Sequence, residues 1–387
     1  MTNRIHLFHF VLLIRPHTQL YQWVWGLFSC IIFFSNCSNP SNIKEEIFRG
    51  KPLFTVNYFE IDFIPEATLL LNIRKEFNDS IAYLYDVTDK RIIKYNITRK
   101  TFIKSNFLGN DSINIYILNV VNDDSIIISM YPYIAIADMY KIKRFYKYQI
   151  LNPAYLYPFF YEIELHTIDK NTFIVPLSVS MSDNIRHKYK NIKNNTNMFG
   201  IFKFTKDSIL LLNEIHLKHP FKEKRELDVV ACFPRFVYSK SKNSIFFCYN
   251  ISDTMYKYDL NAQKITKKRC SYGYPIKPLF YNPDTASNPI KAYYLAGDKQ
   301  HFITSLNYDD SKKIIYKQII HKTFEKNDQI IRHNIIQILD YNFNLIKNII
   351  VPNYYCKWYD YINNTIIFPK IDRKKKMVSY EKMLNSF

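Results

Sequence analysis

The side chains that could do chemistry in this 387-residue chain fall into a few short groups. Two are basic runs with tyrosines close by: Arg186, Lys188, Lys190 and Lys193 around Tyr189, and Lys264 with Lys267, Lys268 and Arg269. Clustered cations attract oxyanions and an adjacent aromatic ring can stack on a sugar or a base, so both runs are candidate anion-binding sites. The plainer reading is a solvated charged face. His216 and His219, in Glu214-Ile-His-Leu-Lys-His219, have the look of metal ligands. On a strand, however, positions three apart face opposite sides, and the helix with a glutamate that a zinc protease needs is missing, so no metal is expected. Asp123-Asp124, Asp309-Asp310 and Glu45-Glu46 are adjacent acid pairs. Paired carboxylates can act as acid and base, but only at a spatial separation that spacing along a chain does not give. The first two pairs sit beside turns, which they would form in water. No phosphate-cradling glycine loop and no nucleophile elbow occurs, and no cofactor is expected.

Cys37 carries another chemistry, acylation. It ends the apolar stretch Trp23 to Cys37 and is followed by Ser38-Asn-Pro-Ser-Asn42. The stretch is too short for a transmembrane helix, which needs ~20 residues, and fits the core of a secretory signal. With its terminal cysteine it resembles a bacterial lipoprotein cleavage site, although Phe34 and Asn36 stand where a leucine and a small residue are usual. A plain secretory signal and an uncleaved anchor are the alternatives. Cys30 is the rival acceptor, but Ile31 to Phe34 would then form a greasy mature terminus. The leader is long, with Arg4, Arg15 and an apolar patch from His6 to Ile14, which leaves room for translation to start downstream of Met1. Lys44-Glu45-Glu46 faintly resembles the charged tract that sends some Bacteroidota lipoproteins to the cell surface; a solvated tether is the competing reading.

With 48% hydrophobic and 22% charged residues the chain is globular and can bury a large core. Its formal charge is +19, and +17 once residues 1–36, whose only charges are Arg4 and Arg15, are set aside. Such an excess favours anionic partners, but the wealth of Lys, Asn, Ile, Tyr and Phe, all with A/T-rich codons, explains much of it as genome bias. Nucleic acid is not expected as a partner. Cys232, Cys248, Cys270 and Cys356 lie far apart with no Cys-x-x-Cys pair, so they read as free, buried thiols on strands rather than zinc ligands.

The elements that would carry these residues repeat. Asp79-Ser-Ile-Ala-Tyr-Leu-Tyr85, a turn, and Ile92 to Thr98 recur as Asn243-Ser-Ile-Phe-Phe-Cys-Tyr249, a turn, and Met255 to Asn261. In each copy the first run is apolar almost throughout, as in a strand covered on both faces. The second alternates, with Ile93, Tyr95 and Ile97 on one side and Lys94 and Asn96 on the other. Related openings occur at Asp111, Asp124, Asp207, Asn171 and Asn364. Several lie ~36–47 residues apart, the length of a four-stranded propeller blade. The reading is all-β: a β-propeller of six blades, or seven, behind a lipoprotein-type signal. Residues 1–36 are then the signal, 37–51 a lipidated tether, 52–369 the propeller and 370–387 a basic C-terminal tail. The blades fall at about 52–120, 121–168, 169–216, 230–270, 290–321 and 334–369, with loop excursions at 182–198 and 281–290.

The lipoprotein-like start, the Asp-Ser-Ile openings, Cys232-Phe-Pro-Arg-Phe-Val-Tyr238, Tyr293-Tyr294 and Ile338-Leu-Asp-Tyr-Asn-Phe-Asn-Leu-Ile346 together resemble an uncharacterised Bacteroidota family, a domain of unknown function whose members are β-propeller lipoproteins. The resemblance spans most of the mature chain and implies a fold and an address, an outer-membrane lipoprotein facing the periplasm or the exterior, but no chemistry. This chain departs from it in having only 6 glycines, so asparagine is expected to supply left-handed turn conformations. Sialidase-type propellers need repeated Ser-x-Asp-x-Gly-x-x-Trp turns, which are absent. The expected role is a lipid-anchored, non-enzymatic binder or scaffold for a protein or glycan. The alternatives are an envelope hydrolase or lyase with its site in the propeller funnel, and a sensor that uses only its flat faces.

Overall fold

The computed structural model describes residues 44–65, 68–76, 79–105, 116–130, 133–148, 157–158, 166–169, 171–178, 197–216, 234–250, 252–276, 301–324, 330–355 and 359–384. Nearly all of them are strands and tight turns. In chain order they form β1 (Glu45–Ile47), β2 (Gly50–Asn57), the one-turn helix α1 (Tyr58–Ile61), β3 (Thr68–Glu76), β4 (Asp79–Asp86), β5 (Arg91–Asn96) and β6 (Thr101–Lys104). Then come β7 (Tyr116–Asn122), β8 (Ser125–Met130), β9 (Tyr133–Ala137), β10 (Ile142–Tyr148), the two-residue β11 (Tyr157–Pro158) and β12 (His166–Thr167), β13 (Thr172–Ser178), β14 (Asn197–Phe204) and β15 (Ser208–His216). The rest are β16 (Pro234–Ser239), β17 (Ser244–Tyr249), β18 (Thr254–Asp259), β19 (Lys264–Arg269), β20 (Phe302–Asp309), β21 (Ile314–Phe324), β22 (Ile330–Asp340), β23 (Leu345–Val351), β24 (Asp360–Ile362), β25 (Thr365–Asp372) and β26 (Met377–Met383).

The chain is all-β, and its strands form antiparallel meanders in a propeller-like arrangement. β3 to β6 make one sheet and β16 to β19 another. β7 to β10 form a meander that joins β11 to β15 through a two-residue parallel register, Lys147 opposite Ser208 and Tyr148 opposite Ile209. β20 to β23 form a sheet extended by β1, and β24 to β26 one extended by β2. The first strands of neighbouring sheets lie side by side: β24 beside β3, β3 beside β7, β12 beside β16, β16 beside β20.

Burial follows from this stacking, because each sheet has a neighbour on both faces and its second strand is largely buried, apolar in β17 beyond its first residue but carrying buried polar side chains in β21. β17 is buried at every position. In β5, Ile93 and Tyr95 face one core, with Ile97 packed against it, and Ile92 faces the next. Tyr83, Tyr249, Tyr316, Phe246 and Phe368 are among the largest fully buried side chains. The described apolar core divides into six clusters, each between consecutive meanders, and the cluster of Phe54, Val56, Leu84 and Tyr380 joins the last sheet to the first.

Local turn chemistry explains where strands begin. The Asp or Asn openings stand at or immediately before β4, β8, β13, β17 and β25, the second strand of five meanders, and Asp207 before β15; Asp111 lies outside the described residues. Many hairpins share one device. Asp86, Asn96, Asp259, Asp309 and Asp372 each accept two backbone N–H groups of the turn that follows, such as Thr88 and Asp89 on Asp86. Each of these turns closes on a residue with positive φ, where glycine is usual. Here that residue is most often lysine (Lys90, Lys100, Lys313, Lys376), with Asn243, Asn363, Asn364 and Gln263 at others, so asparagine is not the main substitute.

Three expected boundaries are corrected. Residues 370–387 are not a tail past the domain: β26 lies between β25 and β2 and is paired on both edges. Residues 44–51, expected in the tether, form β1, paired in parallel with Asn348 to Ile350, and the start of β2. The expected division between the last two blades, at 321–334, falls inside one sheet, because β21 and β22 pair along eleven residues from Ile314 opposite Asp340 to Phe324 opposite Ile330.

The closing contact of β2 on β26 depends on a glycine. A Cβ on Gly50 would stand 2.7 Å from Glu381 Cβ and 2.9 Å from the Tyr355 hydroxyl, and that hydroxyl donates to Glu381 at 2.6 Å. Gly50→Ala is expected to cost about 1–3 kcal/mol by overpacking this buried pair. A urea melt reads it as a lower midpoint with unchanged slope.

Candidate functional site

The sheet of β20 to β23 holds half of the buried polar side chains among the described residues, and its register arranges them in rows. Three histidines form one row at the strand ends. His321 is directly opposite His333, and because Phe302 pairs with Ile320, His301 falls beside His321. The His301 and His321 rings stack with centroids 4.1 Å apart and planes 7° off parallel; His333 is 6.5 Å from His321, and the Tyr274 ring meets His321 edge-on at 5.4 Å. His301 Nδ1 accepts the Lys322 backbone N–H at 2.9 Å, which assigns its proton to Nε2. Burial, then the Lys322 charge, lowers the His301 pKa. His321 is pushed down to about 4, first by burial and then by its two histidine neighbours.

A second row lies four residues further along the strands. Lys317 is opposite Gln337, and Gln337 opposite Asn348, all three fully buried. They hold the segment after β19 of the adjoining sheet. Lys317 Nζ donates to the Cys270 carbonyl at 3.0 Å, Gln337 Nε2 to the Ser271 carbonyl at 3.3 Å and Asn348 Nδ2 to that of Tyr272 at 3.2 Å. Tyr272 in turn donates to the Phe343 carbonyl, and Tyr274 to Glu45 at 2.9 Å. Burial lowers the Lys317 pKa and raises the Cys248 thiol to about 12 and that of Cys270 upward. Both cysteines are free and buried.

These groups are poorly placed for catalysis or metal binding. Stacked parallel imidazoles send their in-plane lone pairs side by side, not to one point, and the Nδ1 of His301 is already an acceptor. Among the described residues no group of three His, Cys, Asp or Glu is placed to hold a metal ion. A thiol with a raised pKa is a weak nucleophile.

The basic run of β19 is divided by the strand's alternation. Lys267 is exposed; Arg269, on the same side, pairs with Asp253 at 3.1 Å. Lys268 points the other way and bonds to Asn344 of the next sheet. The three therefore do not converge. As an edge strand with cations along it, β19 also resists pairing with another chain. Arg186, Lys188, Lys190, Lys193, Cys37, Cys232, Cys356 and His219 lie outside the described residues, and of His216 only the strand position is described. The acid pairs are engaged in bonds between elements. Asp123 accepts from the Tyr83 hydroxyl at 2.6 Å and pairs with Lys94, while Asp310 accepts from Ser239 at 3.0 Å and from the Ser241 N–H at 2.9 Å. Glu46 is held between Lys347 and Lys44, each at 2.8 Å, and these bonds push its carboxyl down to about 2. It is not part of a solvated tether.

Reading along the chain missed both polar rows. The signal was near-symmetry: a hairpin turning at Ser311 and Lys312, shifted by one at the bulge between Ile303 and Ser305, sets His301 against His321, and the β21–β22 register, symmetric about 327, sets His321 against His333.

No protein-family model matches the chain, and no curated protein does. Among solved structures it is similar to a member of the DUF4221 family from Bacteroides vulgatus, with a TM-score of 0.63 at 12% identity over 87% of this chain and 97% of that one. This likeness shows the fold, and it agrees with the resemblance read from the residues. Weaker likenesses include a protein of Bacteroides fragilis described as exported, TM-score 0.42 at 10% identity over 82% of this chain and 90% of that one. Another is a luciferin-regenerating enzyme, TM-score 0.42 at 7% identity over 87% and 96%. No helix among the described residues is long and apolar enough to cross a membrane.

Proposed function

We propose that this chain is a lipid-anchored, six-bladed propeller of the bacterial cell envelope that binds a protein or glycan partner without turning it over. The observation that carries the binding reading is the fate of the reactive groups. Lys317 and His301 are spent on holding the segment after β19 and the ends of β20 and β21, and the two thiols are buried in the core with raised pKa values. Six inter-sheet cores support the blade count, with the short parallel register of β10 and β15 read as contact between two blades. The apolar leader ending at Cys37 supports the anchor, and the outer membrane is its proposed destination.

Cys37→Ala is expected to move the protein from the membrane to the soluble envelope fraction, while Cys30→Ala leaves it in place. The reverse result would assign the lipid to Cys30. Photo-crosslinking on intact cells should capture a discrete partner, whereas purified protein that releases new reducing ends from envelope polysaccharide would establish the hydrolase or lyase instead.

A further inference from the structure

Where β16 to β19 meet β20 to β23 at their hairpin turns, three lysines from three separate elements converge on one turn of the neighbouring sheet. Lys242, in turn 240–243, and Lys257, on β18, place their ammonium groups 5.4 and 5.0 Å from the centroid of the same ring, Tyr341. Lys268, on β19, bonds to Asn344 Oδ1 three residues further along that turn. The turn itself is rigid. Asp340 accepts the Asn342 and Asn344 N–H groups, each at 2.8 Å, and the Asn344 side-chain amide at 2.7 Å, while Phe343 is buried in the core beneath. Asn342 and Asn344 are thereby turned outward, and Tyr341 is half-buried, packed against the core beneath with part of its ring open.

Charge balance distinguishes these lysines from the others nearby. Arg269, Lys312 and Lys313 each have a carboxylate within ion-pair distance. Among the described residues no carboxylate pairs with Lys242, Lys257 or Lys268. The neighbouring acids accept from other groups, Asp259 from the Asn261 and Ala262 N–H groups, Asp310 from Ser239 and Ser241 with Lys313 beside it, and Asp340 from Asn342 and Asn344; Asp259 acts on Lys257 only at longer range. Three ammonium groups around one turn with no carboxylate of their own within ion-pair distance still repel one another, and an oxyanion among them relieves that repulsion.

We propose that this surface, Lys242, Lys257 and Lys268 around Tyr341 and Asn344, is a binding site for an acidic saccharide. Its carboxylate or sulfate sits among the lysines, its hydroxyls bond to the exposed Asn342 amide, and its ring packs against the open part of Tyr341, while Asn344 holds Lys268 in place. The inference rests on the binding reading above and names its ligand class. A nucleic acid offers similar charge, but strand-binding surfaces present several aromatic rings in succession, and this one presents a single ring flanked by amides.

Calorimetry at low salt with the whole exported domain tests it, using a uronate hexasaccharide, a neutral hexasaccharide and a single-stranded oligonucleotide of matched charge. The uronate is expected to bind and the neutral sugar not, with the oligonucleotide at least tenfold weaker. Lys242→Gln, Lys257→Gln and Lys268→Gln should each weaken uronate binding about threefold, reaching about thirtyfold together, and flatten its salt dependence. Tyr341→Leu should weaken it by a similar single step. All four residues are at least partly exposed, so folding should persist, and circular dichroism verifies each variant. Unchanged affinity in the triple variant, equal binding of the neutral sugar, or stronger binding of the oligonucleotide overturns the proposal. If no acidic saccharide binds while crosslinking still captures a partner, the ligand class is wrong and the binding reading stands.

Discussion

A chain that ends at Lys376 is expected not to fold. This truncation removes only β26 and the few residues after it, which would be expendable if 370–387 were a tail. In the fold, β26 is the strand that closes the ring. It pairs with β2 from Gly50 opposite Met383 to Asn57 opposite Met377, and with β25 from Ile367 opposite Lys382 to Asp372 opposite Met377. Val378 and Tyr380 are buried in the core shared with β3 to β6, and Met383 in the core shared with β20 to β23. Three buried side chains at about 1.5–3 kcal/mol each already approach the whole stability of a typical domain, about 5–15 kcal/mol. Their loss also detaches β2, so two blades separate and both neighbouring cores open. Far-UV circular dichroism should lose its strand signal and gel filtration should show an expanded or aggregated chain. A truncated protein with a cooperative melt within a few degrees of the full one would show that the ring is not closed by this strand.

The contrast shows which parts of the fold the residues reveal on their own. Strand openings were legible because they are local: an Asp or Asn, a hydroxyl and a β-branched residue bend and extend the chain within three positions, as at Asp79, Asn243 and Asn364. Alternation in Ile93, Tyr95 and Ile97 is local too. Closure was not legible, since β26 meets β2 across more than 300 residues and its entry, Arg373 to Lys376, is a run of exposed cations that reads as a tail. Asp372 gives that run its meaning by accepting the Lys374 and Lys375 N–H groups and folding it into a hairpin turn. The bond of Glu46 to Lys347 is hidden for the same reason of distance. Among the candidate site residues, the β19 run was visible as charge, but its division between two faces, and the partnership of Lys268 with Lys242 and Lys257 around Tyr341, depend on how two sheets meet.

Acid is expected to destabilise the domain through two sets of groups in successive, overlapping pH ranges. The first set is the histidines. His166, half-buried with its ring against Phe236, and His321 both have folded-state pKa values pushed down to about 4, and His301 is lowered as well. A free imidazole titrates near 6.5, so between those values the unfolded chain binds protons that the folded protein refuses. Stability is complete above about pH 6.5 and falls as pH approaches 4. The neighbours enforce this direction. His321 faces His301, His333 and the Tyr274 ring, and Tyr274 is bonded to Glu45, while Lys322 and Arg332 occupy the next pair of positions along the strands. Protonating His301 at Nδ1 would also break its bond to the Lys322 N–H. After allowance for solvent at the half-exposed ring, the histidines together should cost about 2–3 kcal/mol. The second set is the carboxylates, led by Glu46, whose carboxyl is lowered to about 2 by Lys347 and Lys44, so its contribution is complete above about pH 4.5 and is lost progressively as pH falls from there through 2. Asp138, Asp169, Asp259, Asp310 and Asp372 are lowered as well. Urea midpoints measured from pH 7 to pH 2 should therefore fall from about pH 6.5 onward without a plateau, the histidine loss passing into the carboxylate loss near pH 4.5. His166→Phe with His321→Gln should flatten the fall above about pH 4.5 and leave the fall below it, and Glu46→Gln should lessen only the latter. A profile flat between pH 7 and 4 in the unaltered protein would mean that the stacked histidines are solvated and carry no linkage to folding.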